Sequence, residues 1–580
     1  MKSQQIAPKI KRTVTGVALI ASISTVAACA SLPSSSEPQA LRSVEAASPT
    51  TDLGPIPGRE PDLLLRDFYA VSASPSQQYQ QARSFLSDNI KQEWSPGPEI
   101  VVLDRIDMSS NPSTDANSVS YTVTGTVVGT IAEGGAYNPS NDEYRATVTL
   151  SKADGEWRVS DLPNQVVVER TELRNRYTPK NLYFFDPSGT TLVSDRRWIY
   201  SGNKSLDSAL ISLLLADPSA VLRPGVLNEF PETTAFTGME DGVYKFTGGS
   251  TMDETQRRRL AAQLVWTLAL ADISGPYRFE MDDEPLVGES GNTQLTVEDF
   301  PEFNPQAPGA SSGTLYALTG GKVSRFSGGN AKQLSGFLGT TGNIESLDVS
   351  ATLDVAAAVV ATGERENKRS QFHIGPIEGQ ITKLLEATTL SKPTFEGNTQ
   401  AVWTVVDGTT VLRVARSAST GEIAQTEVDT TELGEQHGDI SVLRLSATGV
   451  RAAFIIDGRV YTATVTRPTA GERKLTNVRE LVPVVGDSAI TLEWALDDSL
   501  LVGTASADTP VWRADVDGSS AIALSSGNIV APVVSVAANG STIFITDARA
   551  ALQLGTAGST DYWREVPGLE GSRSVTIVPR

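Results

Sequence analysis

Cys29 is the only cysteine in 580 residues, so no intramolecular disulfide can form and its thiol is free for other chemistry. It follows Val26, Ala27 and Ala28, an aliphatic residue and two small ones that leave the backbone open to a peptidase. A thiol at such a cut can take a diacylglyceryl chain. Elsewhere the residue types that do chemistry are sparse. Only His373 and His437 supply imidazoles, and because histidine is the commonest general base and metal ligand, this argues against an enzyme. Gly288-Glu289-Ser290-Gly291 lacks the final glycine of a G-x-S-x-G nucleophile turn. Gly320-Gly321-Lys322 and Gly328-Gly329 read as hairpin turns, since no helix follows to receive a phosphate. Asp497-Asp498 and Asp515-Val516-Asp517-Gly518 could contact calcium, but turn chemistry explains the same residues and is preferred. Trp403, Trp494 and Trp512 fall in strand-like segments and read as core. The expectation is no catalytic residue, no cofactor and no metal.

The thiol is positioned by what precedes it. Lys2, Lys9, Lys11 and Arg12 make a positive start, and Val14 to Ala28 is apolar or small and uncharged. That run of about 15 residues is short of the roughly 20 that cross a bilayer as a helix, so residues 1–28 read as a secretory signal. The order resembles bacterial lipoprotein signals, with Val26 in the place where leucine is commoner. The resemblance implies cleavage after Ala28, lipidation of Cys29 and a palmitate-type anchor in the cell membrane, with the body on the extracytoplasmic face. Two or three acyl chains anchor stably, while one binds marginally. Residues 29–60 are rich in Ser and Pro and hold no aromatic residue, the composition of a flexible tether. Extended, about 30 residues reach up to ~100 Å.

Net charge bounds the partners. The chain carries −20, and loss of the signal's four positive residues takes it to −24. That opposes binding to nucleic acid and electrostatic adhesion to anionic lipid. The lipid must hold the membrane.

Residues 61–178 read as an α+β domain. Pro61 opens a helix carrying Leu64, Leu65, Phe68 and Tyr69, and a second helical run passes Tyr79, Ala82, Phe85, Leu86 and Ile90. Strands follow at 100–103, 119–131 and 144–150, and Asp154-Gly155 turns into Trp157-Arg158-Val159. This order resembles the NTF2-like fold. Residues 179–295 form a second α+β domain: strands 182–185 and 196–200, a helix through Leu206, Leu210 and Leu214, and a helix through Leu260, Leu264 and Leu268. Thr251-Met252-Asp253-Glu254 reads as that helix's capping box, and Arg257-Arg258-Arg259 as its solvated side. Tyr183-Phe184-Phe185, Leu213 to Pro218 and Ala262 to Leu268 resemble the GerMN domain, a family regarded as ligand- or partner-binding modules of the cell envelope.

Residues 296–313 read as a linker. Beyond them, 314–580 is strand after strand. Segments 346–350, 392–396, 442–446, 491–495 and 534–537 each precede a polar turn and another apolar strand, at a spacing of roughly 43 to 49 residues. That is the size of a four-stranded propeller blade. Strands 574–578 and 314–326 are complementary half-units, so joining them makes a sixth blade and removes free sheet edges. Five or seven blades, or two β-sandwiches, are the alternatives.

A lipoprotein signal, an NTF2-like domain, a GerMN-like domain and a propeller in this order resemble the LpqB family of actinobacterial lipoproteins. The family implies a non-enzymatic accessory of a two-component system of the MtrA–MtrB type, engaging the extracellular domain of the sensor kinase in step with cell-envelope state and division. A cell-wall glycan- or peptide-binding lipoprotein is the alternative.

Overall fold

The computed structural model describes residues 54–288, 291–306, 314–364, 367–397, 399, 401–416, 420, 422–434, 438–556 and 562–579. Val26, Ala27, Ala28, Cys29 and His437 lie outside them, as do Glu289 and Ser290. Among the described residues no helix is long and apolar enough to cross a membrane.

In the first domain, α1 (Pro61–Ser72) starts with proline at its first turn and buries Leu64, Leu65, Phe68 and Tyr69. The second helical run is not continuous. It breaks into α2 (Ser76–Arg83), where Gln77, Gln78 and Tyr79 take positive φ, and α3 (Asp88–Lys91). Between them the backbone of Phe85 accepts from Val159 at 3.0 Å, and Ser87 donates to Val159 at 2.8 Å. Burying Phe85 and Leu86 on the sheet wins over helical continuity.

The sheet uses β1 (Ile100–Leu103), β2 (Asp107–Ser110), β3 (Ser118–Ile131), β4 (Tyr137–Ala153), β5 (Glu156–Asp161) and β6 (Val166–Glu169), in the order β5-β4-β3-β1-β6, with β2 beside β3. Asp154 and Gly155 both have φ > 0, the primed-turn geometry that joins β4 to β5. The run is antiparallel except at one edge, where β1 and β6 pair parallel.

A short α4 (Arg170–Arg176) leads into β7 (Tyr177–Phe185), antiparallel to β8 (Leu192–Tyr200) along its whole length. α5 (Leu206–Leu215) and α6 (Glu254–Leu270) pack on this hairpin and on a four-stranded sheet of β9 (Ala235–Glu240), β10 (Val243–Thr247), β11 (Phe279–Met281) and β12 (Glu284–Pro285). The capping box of α6 sits two residues later than the sequence suggests. Asp253 Oδ1 accepts from the Gln256 N–H at 2.8 Å, and Gln256 Oε1 accepts from the Asp253 N–H at 3.1 Å. A carboxylate caps at least as well as a hydroxyl, and Gln256 closes the reciprocal bond.

The linker begins as folded structure. Phe300 is fully buried, its carbonyl accepts from Trp266 Nε1 at 3.1 Å, and Phe303 packs edge-on to Phe185. Residues 297–303 therefore cap the second domain's core, and 307–313 lie outside the described residues.

Six four-stranded antiparallel sheets follow. Their innermost strands, in chain order of the sheets, are Val575–Ile577, Ile344–Val349, Thr394–Phe395, Ile440–Leu445, Ala489–Trp494 and Ser535–Asn539. Each touches the next, and the last touches the first, so the sheets close a ring. The first sheet joins Val575–Ile577 to three strands from the start of the domain, with Tyr316 opposite Ile577. Each innermost strand pairs on one side only, so the ring leaves short edges facing the axis.

Candidate functional site

The innermost strands carry charge where solvent does not reach. Asp348, Arg444 and Glu493 occupy the penultimate position of three of them, each flanked by apolar residues that fill the spaces between blades. Arg444 is completely buried. Its guanidinium holds Glu493 at 2.8 and 3.0 Å, reaches Asp348 at 3.2 Å, and also donates to the Pro393 carbonyl. Lys392 adds a contact to Glu493 at 3.2 Å. Arg444 lies on the fourth sheet and Asp348 on the second, while Lys392 precedes the third sheet and pairs with the fifth. The bonds thus link four successive sheets, from the second to the fifth, through their innermost strands. Burial opposes the charge on Arg444, but Asp348 and Glu493 outweigh it and hold its proton more tightly than usual. For Lys392, partial burial and the neighbouring Arg444 win over Glu493, so its proton is held less tightly than usual.

A second buried carboxylate sits between the third and fourth sheets. Glu396 accepts from Arg413 Nε at 2.6 Å, from Arg473 at 2.7 and 2.9 Å, and from Trp403 Nε1 at 3.0 Å. Burial alone would raise its pKa; the two arginines and the indole reverse that and lower it. Trp403 and Trp494 are buried among the blades as the sequence suggests, and Trp494 Nε1 donates to the Arg444 carbonyl. Trp512 is half-buried beside the same core. The ring's axis is therefore filled by ion pairs at this level.

The acidic turns have a different use from calcium binding. Asp498 accepts from Ser194 Oγ at 2.7 Å, Asp515 pairs with Arg196 at 2.8 Å, and Asp517 accepts from Trp198 Nε1 at 3.3 Å. Ser194, Arg196 and Trp198 alternate along β8, so one face of that strand is keyed to three turn carboxylates of the propeller. Returning contacts run from Thr464 Oγ1 and Asn477 Nδ2 to the Val221 carbonyl at 2.7 and 2.8 Å. On the first-domain side, Arg197 is buried, holds Asp195 at 2.7 Å and donates to the Gly134 carbonyl at 2.9 Å. Tyr200 and Ser74 share a hydroxyl bond of 2.7 Å. Three domains are thus fastened through one β-hairpin.

The remaining candidates are structural. His373 lies in a strand, stacks on Phe337 at 5.2 Å, and is kept neutral at pH 7 by burial and by Lys383. Gly320-Gly321 and Gly328-Gly329 are positive-φ hairpin turns. Among the described residues no group of three His, Cys, Asp or Glu side chains could hold a metal ion. Arg257 and Arg258 pair with Glu284 and Glu302 at 3.0 and 2.5 Å, and Arg259 lies over the Phe185 ring, so the arginine triplet fastens α6 to its surroundings. In the first domain a cavity of about 220 Å³ opens beside Arg66, Tyr69 and Glu172.

Sequence reading missed the axial charges, although a signal exists. Leu347-Asp348-Val349, Leu443-Arg444-Leu445 and Leu492-Glu493-Trp494 each place a charge between apolar residues at one repeat position, and Lys392 brings the four charges to balance.

Two α+β modules fastened to a six-sheet ring, with charged clusters that join structure to structure, define a multidomain α+β and β-propeller architecture. Family models match the same three segments: an LpqB lipoprotein N-terminal domain over 54–174, a sporulation and spore germination domain over 181–287, and an LpqB lipoprotein β-propeller domain over 321–579. Lipoprotein LpqB of Corynebacterium diphtheriae is 49% identical over 577 residues, covering 98% of this chain and 99% of that relative. Those of Rhodococcus jostii and Mycolicibacterium smegmatis are 37% and 33% identical, each covering 98% of this chain and 98% and 100% of the relative. The chain belongs to the LpqB lipoprotein family.

Proposed function

We propose that this chain is a lipid-anchored, extracytoplasmic, non-enzymatic binding protein that modulates a membrane sensor kinase of the MtrA–MtrB type, in step with cell-envelope state and division. The observation that carries this reading is the three-domain junction. Ser194, Arg196 and Trp198 on one side, and Asp498, Asp515 and Asp517 on the other, join modules that would otherwise move independently. A fastened body presents one composite surface and loses little freedom on docking, which is what an accessory needs to favour one receptor conformation. Attachment through Cys29 raises the body's effective concentration near a membrane partner. The charge of −24 after signal removal keeps the body off anionic lipid.

A glycan or cell-wall peptide reading through the propeller funnel has less support. Arg444 and its ion pairs occupy the axis, and Trp403 and Trp494, the rings a sugar would stack on, are buried. The test is titration of the full chain in detergent with the purified extracellular part of the kinase. Saturable binding is expected; with both partners folded, its absence overturns direct contact.

A further inference from the structure

The three-domain junction borders a partly open cavity of about 50 Å³ lined by three arginines and two aspartates, Asp195 and Asp517. Tyr137 and Asn138 reach it from the first domain, Arg196 from β8, and Arg451, Arg479 and Asp517 from the propeller. Arg479 Nη1 donates to the Tyr137 carbonyl and to Asn138 Oδ1, both at 3.3 Å, and Arg451 Nη2 donates to the Ser194 carbonyl. All these acceptors are neutral. Arg451 Nη1 and Arg479 Nε are buried without any hydrogen-bond partner. Asp195 and Asp517 also line the cavity and favour the charge on Arg479, but three arginines face these two carboxylates, so the lining keeps one excess positive charge.

The nearby carboxylates are already engaged. Asp195 holds Arg197 and the Ser219 N–H, and Asp517 takes Trp198 Nε1 together with the Ser519 N–H and hydroxyl. Arg196 Nε reaches Asp517 only at 3.5 Å. We propose that the cavity binds a small inorganic anion of the class of phosphate or chloride, held between Arg451 Nη1 and Arg479 Nε. Two buried, unpartnered guanidinium N–H groups on one cavity wall suit an anion in a way a neutral acceptor cannot match, because charge-assisted bonds also relieve the repulsion between the arginines. A space of about 50 Å³ suits one small ion. The anion would bridge the propeller's Arg451 and Arg479 where β8 and the first domain meet them, so the domain junction would tighten when it binds.

The test uses the full chain in detergent. Crystals soaked in bromide should show an anomalous peak within hydrogen-bonding distance of both Arg451 and Arg479. Thermal unfolding at matched ionic strength should shift upward, saturably, when phosphate or chloride replaces gluconate. Arg451→Gln and Arg479→Gln should each abolish that shift. Ordered water alone at this position, or an equal saturable shift in the unaltered chain and both variants, overturns the proposal. Should a variant not fold, the bromide map of the unaltered chain decides alone.

Discussion

Replacing Arg444 with alanine removes the cation on which the propeller's axis is built. Its side chain is fully buried, and its three strongest contacts are the two carboxylates at 2.8 to 3.2 Å and the Pro393 carbonyl. Without it Asp348 loses its ion pair, and Glu493 loses its closest cation while keeping Lys392 and the Trp494 N–H, each at 3.2 Å. Breaking a buried pair from one side costs about 3–5 kcal/mol. For a domain of this size each kcal/mol lowers the transition by about 2–4 °C, so the propeller's midpoint should fall by roughly 6–20 °C. Unfolding followed by calorimetry at pH 7 reads the loss. A loss below about 1 kcal/mol would refute the reasoning that the cluster is a buried, mutually dependent charge set.

Glu396 should give the stability a pH dependence. Its folded pKa is depressed, so its contribution is present above the unfolded value and is lost as pH falls through the folded one. Glu396→Gln should therefore destabilise by about 3 kcal/mol at pH 7 and flatten the acid limb of the stability profile, while the emission of Trp403 shifts. At the junction, Asp517→Ala leaves Trp198 Nε1 unpaired and weakens the hold on Arg196. A cost of about 1–3 kcal/mol is expected, with faster amide exchange along β8; unchanged exchange would show that the turn does not fasten the domains. Cys29→Ser should leave unfolding unaltered but move the chain from the membrane fraction to the medium, as fractionation and immunoblotting would show.

The legibility of this fold in its sequence varies with the range of the interaction responsible. The blade strands could be read closely, since apolar strands separated by polar turns are a local pattern that repeats, and Val575–Ile577 completing the first sheet follows from the complementary ends. The α6 cap was displaced by two residues because Thr251 and Asp253 both fit a capping position and only the Asp253–Gln256 bonds decide between them. The break near Phe85 was hidden, because the helical spacing of Tyr79, Ala82, Phe85 and Leu86 persists while their burial against Val159 is a tertiary contact. Arg444 illustrates the hardest case. Its partners lie 49 and 96 residues away, and each charge alone reads as a stray polar residue in a strand. The acidic turns were correctly read as turns, yet the strand that uses them, β8, lies more than 300 residues earlier.

The account's central claim is that a lipid tether delivers a fastened binding body to a membrane kinase. Its most direct test is the autophosphorylation rate of the kinase reconstituted in vesicles, measured with the lipidated chain and with Cys29→Ser at the same total concentration. The account predicts a saturable change with the tethered chain that the untethered chain reproduces only at much higher concentration. No change in rate at saturating amounts of the lipidated chain would contradict it.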